Sequence, residues 1–275
     1  MKMTAVNGVC LAYESRGKGE PLVLVHGSWV SRENWDPVAP GLAESFRVLR
    51  YDRRGHSQSE RLRRRGSIRE DVADLAAMIE QFAPGPVWVA GNSMGASITL
   101  RLAGERPDLL KGISVHEPPL YSLVKDDPKI GPLVEQEERL EAEVAERIAS
   151  GDPVGAAEMF ADSVAPGLWG ELPPGTRDLF IQNAATFLDE VNDPEIPEFD
   201  LDWIRDFEQP ALLTYGDQSP AQFPPVIARL GAALPKAEVR CFAGAGHVPH
   251  LTHPETYIES LGAFVGKHAA SRDTV

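Results

Sequence analysis

The five residues Gly91-Asn92-Ser93-Met94-Gly95 constrain this chain more than any other stretch. They join an apolar, β-prone run, PVWVAGN (Pro86 to Asn92), to MGASITLRLAGER (Met94 to Arg106), which has helical spacing. A G-x-S-x-G turn between strand and helix is so tight that only small residues fit two before and two after the serine. It lifts the Ser93 hydroxyl above the strand end. It also leaves the Met94 N–H and the positive end of the following helix free to hold an oxyanion. An apolar strand feeding a helix in this way belongs in a sheet covered on both faces.

The rest of the chain supplies that sheet. Asn7-Gly8, between Val6 and Val9, predicts a two-residue hairpin, so the sheet opens antiparallel. Strand-like runs follow at PLVLVHG, FRVLRYD, PVWVAGN, GISVHE, ALLTYGD and AEVRCFAG, with helical spacing between most of them. In SIREDVADLAAMIEQFA (Ser67 to Ala83), Ile68, Val72, Leu75, Ala76, Ile79 and Phe82 recur at helical spacing, and Ser67 with Glu70 predicts a capping box. Repeated β-α-β order predicts an α/β fold with a mostly parallel, doubly wound sheet and right-handed crossovers. The rhythm breaks between Pro118 and Phe207, where the helical stretches 134–150, 153–165 and 177–191 are separated by bends such as Leu172-Pro173-Pro174-Gly175. An interval of about 90 residues is too long for an ordinary connection and predicts a helical cap. The core is then residues 1–117 and 208–275, and the cap is 118–207.

With 41 acidic against 27 basic residues, the net charge of -14 argues against nucleic acid and anionic membrane surfaces as partners. The basic cluster Arg61, Arg63, Arg64 and Arg65, following Arg53 and Arg54, reads as a solvated loop. Cys10 and Cys241 lie far apart without metal-ligand spacing, which fits a reducing cytoplasm. The N-terminus MKMTAVNGVCLAYE lacks the apolar run of a signal peptide, and no segment approaches the roughly 18 apolar residues of a membrane span. The expected partner is a small molecule. Nothing in the pattern sets an oligomeric state.

A serine hydroxyl is a poor nucleophile until a base removes its proton. Gly244-Ala245-Gly246-His247 follows the last strand-like run, where a Gly-rich loop can return an imidazole toward Ser93. His247, His250 and His253 carry no carboxylate or thiolate pattern with them, and Pro249 and Pro254 break any shared helix face, so neither metal nor cofactor is expected. His247 is the preferred base, with His250 a packing or pocket residue and His253 near a helix start. His26-Gly27-Ser28-Trp29 ends the first central strand, where the Ser28 N–H would face a substrate carbonyl beside that of Met94.

HGSW, YDRRGHSQS, GNSMG, the cap and GAGHVPHLTHPE, in this order, resemble the α/β-hydrolase superfamily over nearly the whole chain. The resemblance implies an eight-stranded sheet, a helical cap between the sixth and seventh strands and a Ser-His-acid triad. It disfavours the variants with an Asp or Glu nucleophile, because Ser93 occupies the turn. In most such enzymes the acid stands three residues beyond the glycine of the strand after the cap, and here that count from Gly216 lands on Ser219. Two carboxylates remain. Asp217 lies two residues short of that position, whereas Glu117 ends the strand after the serine's helix, on the same sheet edge, with Pro118 and Pro119 restricting its backbone. The latter placement resembles zearalenone lactonases and some dehalogenases, so Glu117 is the preferred acid and Asp217 the alternative.

The implied reaction is hydrolysis of a carboxylic ester or lactone through an acyl-serine. Trp29, Trp35, Trp169, Phe180, Phe187 and Trp203 offer aromatic surface for an apolar substrate body, and Trp29, Trp169, Phe187 and His250 are the expected pocket residues. A carbon–carbon bond hydrolase of the same fold would call for pocket arginines, for which Arg101 and Arg106 give no clear sign. A non-catalytic ligand-binding homologue would be expected to have a damaged triad.

Overall fold

In the computed structural model, which describes residues 1–164 and 167–270, the strands are β1 (Lys2–Val6), β2 (Val9–Arg16), β3 (Glu20–Val25), β4 (Phe46–Tyr51), β5 (Val87–Asn92), β6 (Leu110–His116), β7 (Ala211–Gly216) and β8 (Ala237–Phe242). They form one eight-stranded sheet in the order β1-β2-β4-β3-β5-β6-β7-β8. Asn7 and Gly8, with φ of 44° and 80°, make the left-handed pair that closes a tight hairpin, and β1 pairs antiparallel with β2. The β2–β4 pair is also antiparallel, and every later pairing is parallel. From β3 the chain crosses to β4 on one side and then to β5 on the other. The sheet therefore reverses its winding between β3 and β5, where doubly wound folds leave a crevice.

Helices α1 (Ala39–Leu42), α2 (Ile68–Phe82), α3 (Met94–Glu105), α8 (Phe223–Ala233), α9 (Pro249–Thr252) and α10 (Pro254–Ala270) accompany the sheet. Alternation along the central strands decides which face each residue serves. Val23, Val25, Val87 and Val89 join the cluster containing Leu75, Ile79, Ile98 and Leu102, whereas Leu22, Leu24, Trp88 and Ala90 join Leu261 and Phe264. Each such aliphatic side chain stabilises the fold by about 1.5–3 kcal/mol through its burial.

Between β6 and β7 lie α4 (Gly131–Ala149), α5 (Pro153–Val164), α6 (Leu168–Glu171) and α7 (Pro174–Val191), the helical cap. Ala165, the last residue of the stretch 153–165 read as helical, falls outside the described residues. The cap has its own apolar cluster, in which Val144, Ala156, Ala157, Ala184 and Phe187 close around Trp29 of the core.

Two expectations need correction. Ser67 is the N-cap of α2, but its side chain makes no cap bond. The Ile68 N–H donates instead to Asp193 Oδ2 at 2.7 Å, while Glu70 pairs with Arg54 and Arg64. Two guanidiniums outbid the Ser67 backbone for Glu70, so the capping box does not form. The basic stretch also divides: Arg61, Arg63, Arg64 and Arg65 are exposed, whereas Arg53 and Arg54 are buried and ion-paired to Asp71, Asp74 and Glu190. Among the described residues no helix is long and apolar enough to cross a membrane.

Candidate active site

The loops after β3, β5 and β6 meet at the crevice. Ser93 has φ 56° and ψ -125°, and its N–H donates to His116 O at 2.9 Å. The flanking glycines have no alternative. A Cβ at Gly91 would lie 2.3 Å from Gly95 O, and one at Gly95 would lie 2.2 Å from Val25 O. Gly27 follows the same logic from the other side, since a Cβ there would come 3.0 Å from Ser93 Cβ and 3.5 Å from its Oγ. Bare backbone therefore borders the serine along the loop that contains Ser28. Met94 opens α3 next to Ser93.

Glu117 is fully buried, and its Oε2 lies 2.7 Å from His247 Nδ1. Its Oε1 accepts the Gly216 N–H at 2.7 Å. Glu117 has a left-handed φ of 46° directly before Pro118, a conformation that costs on the order of 1–3 kcal/mol and turns the side chain toward β7. Burial alone would raise the Glu117 carboxyl. The hydrogen bond from His247, with His116 and Ser219 nearby, outweighs that and holds the group below its ordinary value. The Ser219 hydroxyl is buried beside this carboxylate, although it makes no hydrogen bond of ordinary geometry. His116 bonds Thr214 Oγ1 through Nδ1 at 2.9 Å and places Nε2 3.6 Å from Glu117 Oε2. Burial pushes the His116 imidazole down to about 4, so it is neutral at pH 7.

Asp217 lies elsewhere. It is exposed, and its Oδ1 accepts the Gly244 N–H at 2.8 Å, tying down the Gly-rich loop that carries His247. Asn92 holds the same loop by donating to His247 O at 2.9 Å. The Phe223 ring stacks on His247 at 4.9 Å.

His116, Glu117 and His247 are also close enough to share a metal ion, with ligand atoms within 4.8 Å of one another. The hydrogen bonds of Glu117 to His247 and Gly216 already engage both carboxylate oxygens, and an ion would have to displace them.

Three of the four expected pocket residues are enclosed in this conformation. Trp29 is 0 % exposed, enclosed by Phe160, Phe180 and Phe187, and Phe187 is buried with it. His250 is likewise 0 % exposed, 4.4 Å from the Trp35 ring and bonded through Nε2 to Asn34 Nδ2 at 2.8 Å. Side chains without surface open to water have none to offer a substrate in this conformation. They anchor the cap and the histidine loop instead. Trp169 is half-buried at the edge of the cap cluster, with the Arg177 guanidinium 5.6 Å over its ring. Arg101 Nη2 donates to the carbonyls of Glu195, Ile196 and Glu198, and Arg106 pairs with Asp108 and Glu80. Sequence reasoning missed the partners that surround the site: His116, Thr214, Phe223 and Asn183. Each acts through contacts between distant strands or helices; His116 alone stands in a stretch the sequence singles out, beside Glu117 and before Pro118 and Pro119.

The profile of the alpha/beta hydrolase family matches residues 22–260. The chain belongs to that family. Over 103 residues it is 37% identical to (E)-2-((N-methylformamido)methylene)succinate hydrolase of Acinetobacter baylyi, a match covering 38% of this chain and only 39% of that enzyme. It is 22% identical to 2-(acetamidomethylene)succinate hydrolase of Mesorhizobium japonicum over 267 residues, covering 94% of this chain and 93% of the relative. Among solved structures, the enol-lactonase from Burkholderia xenovorans superposes with a TM-score of 0.80 at 19% identity, covering 96% of this chain and 100% of the other. That likeness is one of fold.

Proposed function

We propose that this member of the alpha/beta hydrolase family is a serine hydrolase that cleaves a carboxylic ester or lactone with an apolar body. The observation that carries the reading is the buried Glu117 carboxylate, 2.7 Å from His247 Nδ1 beside the strained serine of the turn. Ser93 Oγ attacks the carbonyl while His247 Nε2 takes its proton. Glu117 fixes the imidazole tautomer and stabilises the imidazolium. The N–H groups of Ser28 and Met94 hold the oxyanion, each such donor being worth about 10²–10³ in rate. The imidazolium returns its proton to the leaving alkoxide, and water, activated by the same base, then releases the acid from Ser93. Burial of Glu117 suits this role because the carboxylate stays ionised without competing water.

The half-buried cap rings Phe160, Phe180 and Trp169 support an apolar substrate body. The names of the two curated relatives favour an acylaminomethylene succinate as a second substrate class. The commitment of Arg101 to backbone carbonyls and Arg106 to acidic partners withholds support from it. The free thiols Cys10 and Cys241, both exposed, support a cytoplasmic setting.

A panel of p-nitrophenyl esters, lactones and acylaminomethylene succinates, with Ser93→Ala as control, tests the proposal. The wild type should turn over an ester or lactone and be labelled by a fluorophosphonate probe, and both turnover and labelling should vanish in the variant. Turnover surviving in Ser93→Ala, or none in the wild type, overturns it.

A further inference from the structure

Asn183, Thr186 and Glu190 lie three and seven residues apart on α7, so they share one face of the helix, and all three are buried. Each reaches the loop after β3 or the loop after β4. Asn183 Nδ2 donates to Trp29 O and Val30 O, both at 3.1 Å, and lies 3.1 Å from Ser57 Oγ. Its Oδ1 accepts the Ser57 N–H at 2.8 Å, which fixes which way the amide faces. Thr186 Oγ1 lies 3.0 Å from His56 Nε2. Glu190 Oε1 takes the Arg53 guanidinium at 2.9 Å, the same guanidinium reaches Gly27 O at 3.4 Å, and the Arg53 N–H donates to His26 Nε2 at 2.9 Å.

Trp29 and Ser57 both have left-handed φ, 67° and 49°. Such backbone costs roughly 1–3 kcal/mol at a non-glycine residue and persists only where its surroundings hold it. Asn183 binds the carbonyl of the first and the amide of the second, a pairing that needs a donor and an acceptor on one rigid, buried side chain.

We infer that Asn183 is a positioning residue through which the cap sets the oxyanion hole. Its bonds to Trp29, Val30 and Ser57 hold the loop in which Ser28 stands, so α7 frames the reaction as well as covering it. The inference rests on the proposed roles of Ser93 and Ser28. An oxyanion donor acts on the transition state far more than on bound substrate, so a displaced loop lowers kcat and spares KM.

Asn183→Asp keeps the shape and the acceptor for Ser57 but presents an oxygen to the two carbonyls. For this variant kcat should fall at least about 10-fold, toward the roughly 10²-fold loss of a whole donor, with KM within about 2-fold of wild type. Affinity for a trifluoromethyl ketone analogue of the best ester should fall in step with kcat/KM. Amide hydrogen exchange across residues 27–31 should quicken, a readout that needs no substrate. Arg147→Ala, which breaks an exposed cap pair with Asp152, is the comparator and should leave kcat unchanged. If Asn183→Asp does not fold, Asn183→Ser, which leaves room for a water, carries the same comparison. Unchanged exchange together with wild-type kcat and analogue affinity overturns the inference. An inactive, unlabelled wild type overturns the hydrolase reading instead, and the exchange result then still decides whether Asn183 holds the loop.

Discussion

Glu117 reaches His247 from a strand end where a shorter acid would fall short. The side chain crosses toward β7, whose Gly216 N–H and Thr214–His116 pair meet it there. Glu117→Gln, which keeps size but allows the wrong imidazole tautomer, should lower kcat by about 10⁴ in steady-state assays. Asp217→Asn should change kcat by less than about 3-fold, because its bond to the Gly244 N–H supports a loop and not the imidazole. The reverse ranking would refute the assignment of the acid. Ser219 marks where the sequence was most informative by omission, since the missing carboxylate directs attention to Glu117, and its hydroxyl now lies beside that group. Ser93 is legible because Gly91 and Gly95 leave no room for a Cβ against backbone, and the loop before His247 because Gly244 has a left-handed φ of 75°. Trp29 and His250 are not: the direction of an aromatic side chain depends on helices more than 100 residues away, and both rings turned inward.

Local signals predicted elements well where nothing distant competed with them. Asn7-Gly8 gives its hairpin because two successive left-handed residues leave few other arrangements. At Ser67 the local signal lost. Asp193, 125 residues beyond Ile68, supplies the acceptor that Ser67 does not. Asp193→Ala should therefore destabilise the protein by about 1 kcal/mol, the ordinary cost of losing a helix cap, while Ser67→Ala should cost less. Urea melts of the two variants decide between them.

Across the whole molecule, charge is concentrated where cap meets core. Arg53 is buried between Asp71 and Glu190, and Arg53→Met would strand two carboxylates, at a cost of about 3–5 kcal/mol seen as a shifted urea midpoint. Glu141 of α4 responds to pH. Burial, then Glu137 and Glu190 nearby, push its carboxyl up to about 8 from 4.5. The folded state therefore holds this proton more tightly than the unfolded chain, so Glu141 contributes its full stability below about pH 4.5 and loses it progressively as pH rises to about 8. Glu141→Gln should match the wild-type Tm near pH 4.5 and exceed it by pH 8. A gap that stays constant with pH would refute this.

The Asp193–Ile68 bond has a consequence for anyone seeking a minimal scaffold. Excising 118–207 and splicing β6 to β7 would remove the acceptor at the head of α2, the amide that steadies Trp29 and one of the two counter-ions of Arg53 in one cut. The truncated chain should be insoluble or molten on purification, and heating the intact protein should give one calorimetric transition, with no separate melting of the inserted segment.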